Sequence, residues 1–194
     1  MLVSSGKFRG MEALLQSQRK HWTYEEYYRL EDEQRYEIFN GELSMAPAPD
    51  TWHQDWLNGI NLLLTPFVRK RKLGRVFIAP VDVVLDSENV VQPDIVFVAQ
   101  AHCGIIEKRA IFGVPDLVVE FVSPSSVRRD RYVKKDIYAR FGVKEYWIGD
   151  AANRSIEVLT LKAGRYELFC SAEEQGKITS SVVAGFEFQL NELE

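Results

Sequence analysis

The sequence predicts an α/β fold in which a mixed sheet is flanked by helices, with a β-hairpin towards each end of the chain. Three observations carry that expectation. Two short apolar runs, Pro93-Asp94-Ile95-Val96-Phe97-Val98 and Leu117-Val118-Val119-Glu120-Phe121-Val122, are rich in β-branched and aromatic residues and read as interior strands. Between residues 52 and 71, apolar residues recur at helical spacing. Asn40-Gly41 stands between two strand-like runs, a strong short-range hairpin signal. With 194 residues the chain forms one domain that can bury roughly 70% of its unfolded surface.

Taken in order, Thr23-Tyr24-Glu25-Glu26 fits a capping box that starts a short helix reaching about Leu30. The hairpin strands are 36–39 and 42–45, so Phe39 pairs with Glu42, and Glu37 and Glu42 share a face opposite Ile38 and Leu43. A solvent-facing acidic pair is the favoured reading of these two glutamates. The helix after the Pro47–Pro49 loop contains Pro66, which predicts a kink or an early end. Strands follow at 75–78 and 81–85, with Asp86–Asn89 as the turn before the Asp94 strand. Residues 100–116 read as a connection with room for a short helix. Strand 117–122 leads through Ser123-Pro124-Ser125-Ser126 into a helix over 127–141, which Gly142 terminates. A strand at 143–148 and a hairpin of 156–161 with 166–169 complete the order.

Composition narrows the class. The chain is 46% hydrophobic and 27% charged, ordinary for a globular protein, and no apolar run approaches the ~20 residues of a membrane span. Residues 1–10 lack the apolar stretch of a secretory signal, and Met11 is a possible alternative start; residues 1–22 read as an N-terminal extension to a domain spanning 23–194. Cys103 and Cys170 are far apart with no CxxC spacing, and His102 cannot easily share a metal with its neighbour Cys103, so this composition fits a cytoplasmic protein. A net charge of −4 weighs against non-specific nucleic-acid binding. Basic residues nonetheless cluster at 69–72 with Arg75, and at Arg128, Arg129, Arg131, Lys134 and Lys135.

Asp94 and Glu120 interrupt the two most strand-like runs. A carboxylate there is costly unless it is paired, hydrogen-bonded or coordinated to a metal. One such residue is often a structural ion pair; two, followed by a lysine-bearing helix, suggest a hard-cation hydrolytic site. On that helix Asp130, Lys134 and Tyr138 form one stripe, beside an apolar stripe of Val133, Ile137 and Phe141. Lys134 could direct its ammonium towards the end of the Glu120 strand.

Four segments in this order resemble the Uma-type restriction endonucleases of the PD-(D/E)XK nuclease superfamily. They are Gln92-Pro93-Asp94, Val119 to Ser125, Asp130 to Tyr138, and Gly142-Val143-Lys144-Glu145-Tyr146-Trp147. The similarity runs from about Thr23 to the C-terminus and includes Tyr36 to Leu43. It implies a restriction-endonuclease-like core that hydrolyses DNA phosphodiesters with Mg2+, or Mn2+. Asp94 and Glu120 would be the metal ligands, and Lys134 would assist the attacking water or the transition-state charge. The superfamily pattern places lysine two residues after the glutamate, where this chain has Val122; the resemblance implies that the lysine has moved to the helix, with Lys135 as the fallback. His53, Glu37 and Glu42 are candidate rim residues, and Arg128, Arg129 and Arg131 candidate phosphate contacts. Cutting both strands of a duplex suggests a homodimer, for which Tyr24, Tyr27, Tyr28 and the Phe186/Phe188 segment offer aromatic surface. A nuclease fold serving as an inactive binding or assembly module is the alternative, favoured by the net negative charge and Val122. A metal-dependent hydrolase acting on something other than DNA is the third possibility.

Overall fold

The computed structural model describes residues 21–31, 34–46, 48–123 and 126–193. The expected N-terminal extension therefore lies outside the described residues except for His21 and Trp22. Trp22 is buried against a small cluster that also contains Tyr24, Ile38, Val84 and Val90.

Helix α1 (Tyr24–Tyr28) begins with the anticipated capping box on Thr23 and Glu26. The hairpin of β1 (Tyr36–Phe39) and β2 (Glu42–Met45) has the anticipated register, with Phe39 opposite Glu42. Its turn places Asn40 and Gly41 at φ 52° and 80°, as a type I′ turn demands. Helix α2 (Thr51–Arg71) is capped by Asp50, whose side chain accepts from the His53 N–H. The helix runs unbroken through Pro66, against the expectation of an early end. Pro66 and Leu62 are both on the exposed face, where water can satisfy the Leu62 carbonyl that the missing N–H would otherwise bond.

Strands β3 (Gly74–Ile78), β4 (Val83–Asp86), β5 (Asn89–Val91), β6 (Ile95–Ala99), β7 (Ile111–Phe112), β8 (Leu117–Phe121), β9 (Glu145–Asp150), β10 (Ser155–Lys162), β11 (Arg165–Glu173), β12 (Lys177–Thr179) and β13 (Glu187–Gln189) follow. They form a five-stranded sheet, β2-β1-β5-β4-β7, a six-stranded sheet, β11-β10-β9-β8-β6-β3, and the pair β12-β13. The β4–β7 and β8–β9 pairs are parallel and the others antiparallel, so both large sheets are mixed. Strands β5, β7, β12 and β13 were not anticipated, and Asp86–Asn89 turns a hairpin between β4 and β5 before the chain reaches Asp94.

The six-stranded sheet separates two cores. Ile95, Phe97, Leu117, Val119 and Phe121 meet α2 through Trp56, Ile60, Leu64 and Val68. Val96, Val98, Val118 and Val122 face the other way, towards Ile137 and Tyr138 and the inner side of the five-stranded sheet. Phe186 and Phe188 stack on Trp147 inside the first core, and Tyr24 is also buried. These rings are packed within the chain and do not form a free surface for self-association. Glu145 anchors the C-terminal segment there: its fully buried carboxylate accepts from Trp147 Nε1, Ser180, the Ser181 N–H and hydroxyl, and the Val182 N–H.

Candidate active site

The antiparallel β6–β8 register ends at the Ile95–Val119 pair, one residue short of Asp94 and Glu120, and both carboxylates line the same cavity. Glu120 lies within β8, whereas Asp94 immediately precedes β6 and does not lie inside a strand. That difference matters. Free of the ladder, the Asp94 carboxylate accepts the Phe121 N–H through Oδ2 at 2.7 Å, taking the place of a backbone acceptor at the strand end.

Lys134 and Tyr138 reach Glu120 from the helix. Lys134 Nζ lies 2.9 Å from Glu120 Oε1, and the Tyr138 hydroxyl donates to the same oxygen at 2.6 Å. The helix is not uniform: Arg129–Lys134 forms a π-helical turn before α3 (Lys135–Phe141). This wider turn buries both Asp130 and Lys134, while the Tyr146 hydroxyl donates to the Asp130 carbonyl. It also shifts the apolar stripe, so Val133, expected on the buried face, is exposed. Lys135 is not among the residues lining the site cavity.

Glu37 joins the same cluster. Lys134 Nζ is 2.8 Å from Glu37 Oε1, and Arg129 Nε lies 3.8 Å from Oε2. The solvent-facing reading fails for this residue because β1 is an interior strand, paired with β2 on one side and β5 on the other. With β5 unanticipated, β1 read as half of a two-stranded ribbon, and the face carrying Glu37 and Phe39 appeared free. Instead it turns inwards, with Glu37 1% exposed, while Glu42 on the edge strand is exposed as expected. The Gln92 N–H donates to Glu37 Oε1, and its side chain links onward to Asp82, Tyr27 and Arg35.

These groups line a cavity of about 320 Å3. Among its described lining residues, five carboxylates (Glu37, Asp50, Asp94, Glu120 and Asp130) face three fixed cations, Arg35, Arg129 and Lys134. Burial pushes the Glu120 carboxyl well above the usual range; Lys134 opposes that shift, while Asp130, Asp94 and Glu37 add to it. Burial also disfavours the Lys134 ammonium, but Glu120, Glu37 and Asp130 outweigh it and raise the lysine above its ordinary value. Burial likewise raises the Tyr138 hydroxyl, with Glu120 adding to the effect, so the tyrosine remains a donor.

Three buried polar atoms in the cavity wall lack a hydrogen bond: His53 Nε2, Arg129 Nε and Asp130 Oδ1. His53 Nε2 is 3.0 Å from Asp94 Oδ1 without hydrogen-bond alignment. Arg129 Nε lies 3.5 Å from Asp130 Oδ1, which is in turn 3.7 Å from Lys134 Nζ, so these two groups also sit within ion pairs that lack hydrogen-bond geometry. Among the described residues no three His, Cys, Asp or Glu side chains form a ready-made metal cage. The oxygen donors of Asp94 and Glu120, in a cavity with excess negative charge, suit a hard cation that takes one or two carboxylates and completes its shell with water and phosphate oxygens.

The other candidates separate. His53, at the start of α2, contacts Asp94 and packs its ring against Phe121 at 5.4 Å. Of the three arginines, Arg129 lines the cavity, Arg128 is exposed outside it, and Arg131 pairs with Glu157 on β10 at 2.8 Å. Val122 is packed in the core. Sequence reasoning placed Asp130, Lys134 and Tyr138 on one stripe bordering the cleft but gave Asp130 and Tyr138 no partners. Gln92 was quoted only beside Asp94, although its position immediately before Pro93-Asp94 was a usable signal.

Comparison with known proteins bears on the fold and the family. A putative nuclease of the DUF820 group from Anabaena variabilis ATCC 29413 has the same fold at a TM-score of 0.72 and 18% identity, covering 88% of this chain and 96% of that one. A comparison with curated proteins gives no match. No helix among the described residues is long and apolar enough to cross a membrane. The Uma2 family profile, described as "Putative restriction endonuclease", matches residues 24–191, and the chain belongs to that family.

Proposed function

We propose that the chain is a Mg2+-dependent endonuclease that hydrolyses DNA phosphodiesters, Mn2+ being able to substitute. The observation that carries this reading is the convergence of Asp94, Glu120 and Lys134 on one cavity wall. Asp94 and Glu120 would hold the cation, which when bound supplies Lewis acidity to the phosphate and to water. Lys134, fixed by Glu120 and Glu37, presents a permanent positive charge to the phosphoryl oxygens as negative charge grows on them. Tyr138 keeps Glu120 oriented by donating to Oε1. Arg129, at the cavity wall, is the best placed of the three arginines to meet a phosphate, with Arg128 available further out.

A plasmid-nicking assay tests this directly. Supercoiled DNA should be nicked with Mg2+ or Mn2+ and left intact with chelator. Metal-dependent nicking that survives the Asp94→Asn and Glu120→Gln changes would count against the assignment.

Two cuts in a duplex are most simply made by two copies of the chain. With Tyr24, Phe186 and Phe188 packed inside and only Tyr28 of the N-terminal aromatics exposed, the exposed edge strand β11 is the candidate contact. It carries Leu168 and Phe169 in the open, and antiparallel pairing of two copies about Phe169 sets Arg165 opposite Glu173. Light scattering reads this: a single-chain mass at micromolar concentration would remove it.

The inactive binding or assembly module is a second reading. Val122 at the usual lysine position and the near-complete burial of Lys134 favour it. It predicts DNA binding without metal-dependent turnover in the same assay.

A further inference from the structure

A second cavity, of about 860 Å3, adjoins the first and shares Asp50, His53 and Ser123 with it. It opens at the start of α2 and at the ends of β8 and β9. Trp52 and Trp56, one helical turn apart, both line it. Trp56 is 4% exposed and belongs to the core, whereas Trp52 is 71% exposed. The other two tryptophans, Trp22 and Trp147, are buried. Leaving one large aromatic in water at the mouth of a cavity is costly packing, and a planar partner would remove that cost.

The charge of the cavity identifies the partner. Among the described lining residues, Asp50, Asp55 and Asp150 outnumber the one permanent cation, Arg154. A phosphate backbone would be repelled there. A nucleobase would not: it carries no charge, stacks on indole, and presents amino and ring N–H donors that aspartate and Asn153 can accept. Val122 and Val127 add apolar wall on the side of the candidate active site.

We infer that this cavity takes one unpaired nucleobase next to the scissile phosphate, stacked on Trp52. The preferred DNA would then carry a single-stranded or unpaired residue at the cut and would not be a continuous duplex. This inference rests on the nuclease reading for its orientation, but not for its test.

The test compares binding of a labelled single-stranded oligonucleotide and of the blunt duplex of the same sequence, by fluorescence anisotropy with Ca2+ in place of Mg2+. The full chain is used as wild type, Trp52→Ala and Trp52→Phe. The expected result is about tenfold weaker single-strand binding for Trp52→Ala, roughly 1.4 kcal/mol, with duplex binding changed less than about twofold. Trp52→Phe keeps the ring and should recover most of the single-strand affinity. Single-strand binding by the wild type should also quench the emission of Trp52, the one exposed tryptophan among the described residues. Equal losses on both DNAs, an unchanged Trp52→Ala protein, or no single-strand binding would each overturn the inference. Plasmid nicking by the wild type is scored separately. Nicking with Trp52-independent binding removes the base pocket alone, and Trp52-dependent binding without nicking removes the hydrolytic reading alone.

Discussion

Phe121 occupies the space that a side chain on Gly149 would need: a Cβ at that position would come within 2.3 Å of the Phe121 ring. The two residues are partners in the parallel β8–β9 pair. Phe121 donates its N–H to Asp94 and lays its ring beside His53, so the absence of a side chain on Gly149 helps fix both candidate site residues.

Gly149→Ala should therefore cost about 1–3 kcal/mol through overpacking and should also displace Asp94. Urea denaturation gives the first quantity. Nicking at a temperature where the variant is fully folded gives the second, and normal nicking there would show that Phe121 does not position Asp94.

Replacing either metal-ligand candidate, as Asp94→Asn or Glu120→Gln, should lower nicking by at least about a hundredfold. Calorimetry with Mn2+ should show weaker metal binding in the same variants. Undiminished metal affinity would move the ligand set elsewhere in the cavity.

Lys134→Ala has two expected effects. Glu120 and Glu37 lose their shared cation in a buried setting, a loss on the order of 3–5 kcal/mol in unfolding free energy. Nicking should fall by orders of magnitude in conditions where the protein remains folded, while Mn2+ affinity stays close to that of the wild type. Lys135→Ala should matter far less on both counts. A fully active, folded Lys134→Ala protein would reject a catalytic role for this lysine.

Glu37 and Glu42, which share a face in the sequence pattern, should behave differently. Glu37→Ala strands part of the Lys134 charge and should cost about 3–5 kcal/mol, whereas Glu42→Ala should stay within about 0.5 kcal/mol. Equal unfolding midpoints would contradict the buried ion pair.

Much of the fold was legible because its signals are local. The Asn40-Gly41 turn, the α2 periodicity and the two apolar strands depend on neighbours in the chain, and each formed where expected. Glu37 was misread for a non-local reason: whether it faces water depends on β5, some 50 positions away, and a three-residue strand leaves almost no periodic trace. The π turn was equally hidden, since an i→i+5 bond has no residue signature of its own. Lys134 nonetheless meets Glu120, as helix spacing suggested, and Asp94 lines the same cavity.

Acid stability should report on a different carboxylate. Asp116 is buried, which alone would raise it, but hydrogen bonds from Lys144, His102 and the Ala99 N–H hold it below the usual range. A carboxylate depressed in the folded state contributes stability that is fully present above its unfolded value, about 3.9, and is lost as pH falls through the folded value. Urea midpoints measured downward from pH 5 should drop below about pH 4, and Asp116→Asn should flatten that drop. Parallel curves for the two proteins would assign acid lability to other groups.

The ammonium at Glu120 comes from a helix, and the strand position two residues on is given over to Val122, packed in the core. Position 122 is thereby released from supplying the ammonium and serves as apolar wall to the core and to the second cavity. Drift there among apolar residues would leave the carboxylate–lysine grouping untouched. A search keyed to a glutamate followed two residues later by lysine would pass over this chain, since its signature is spelled across strand and helix in space and not along one strand.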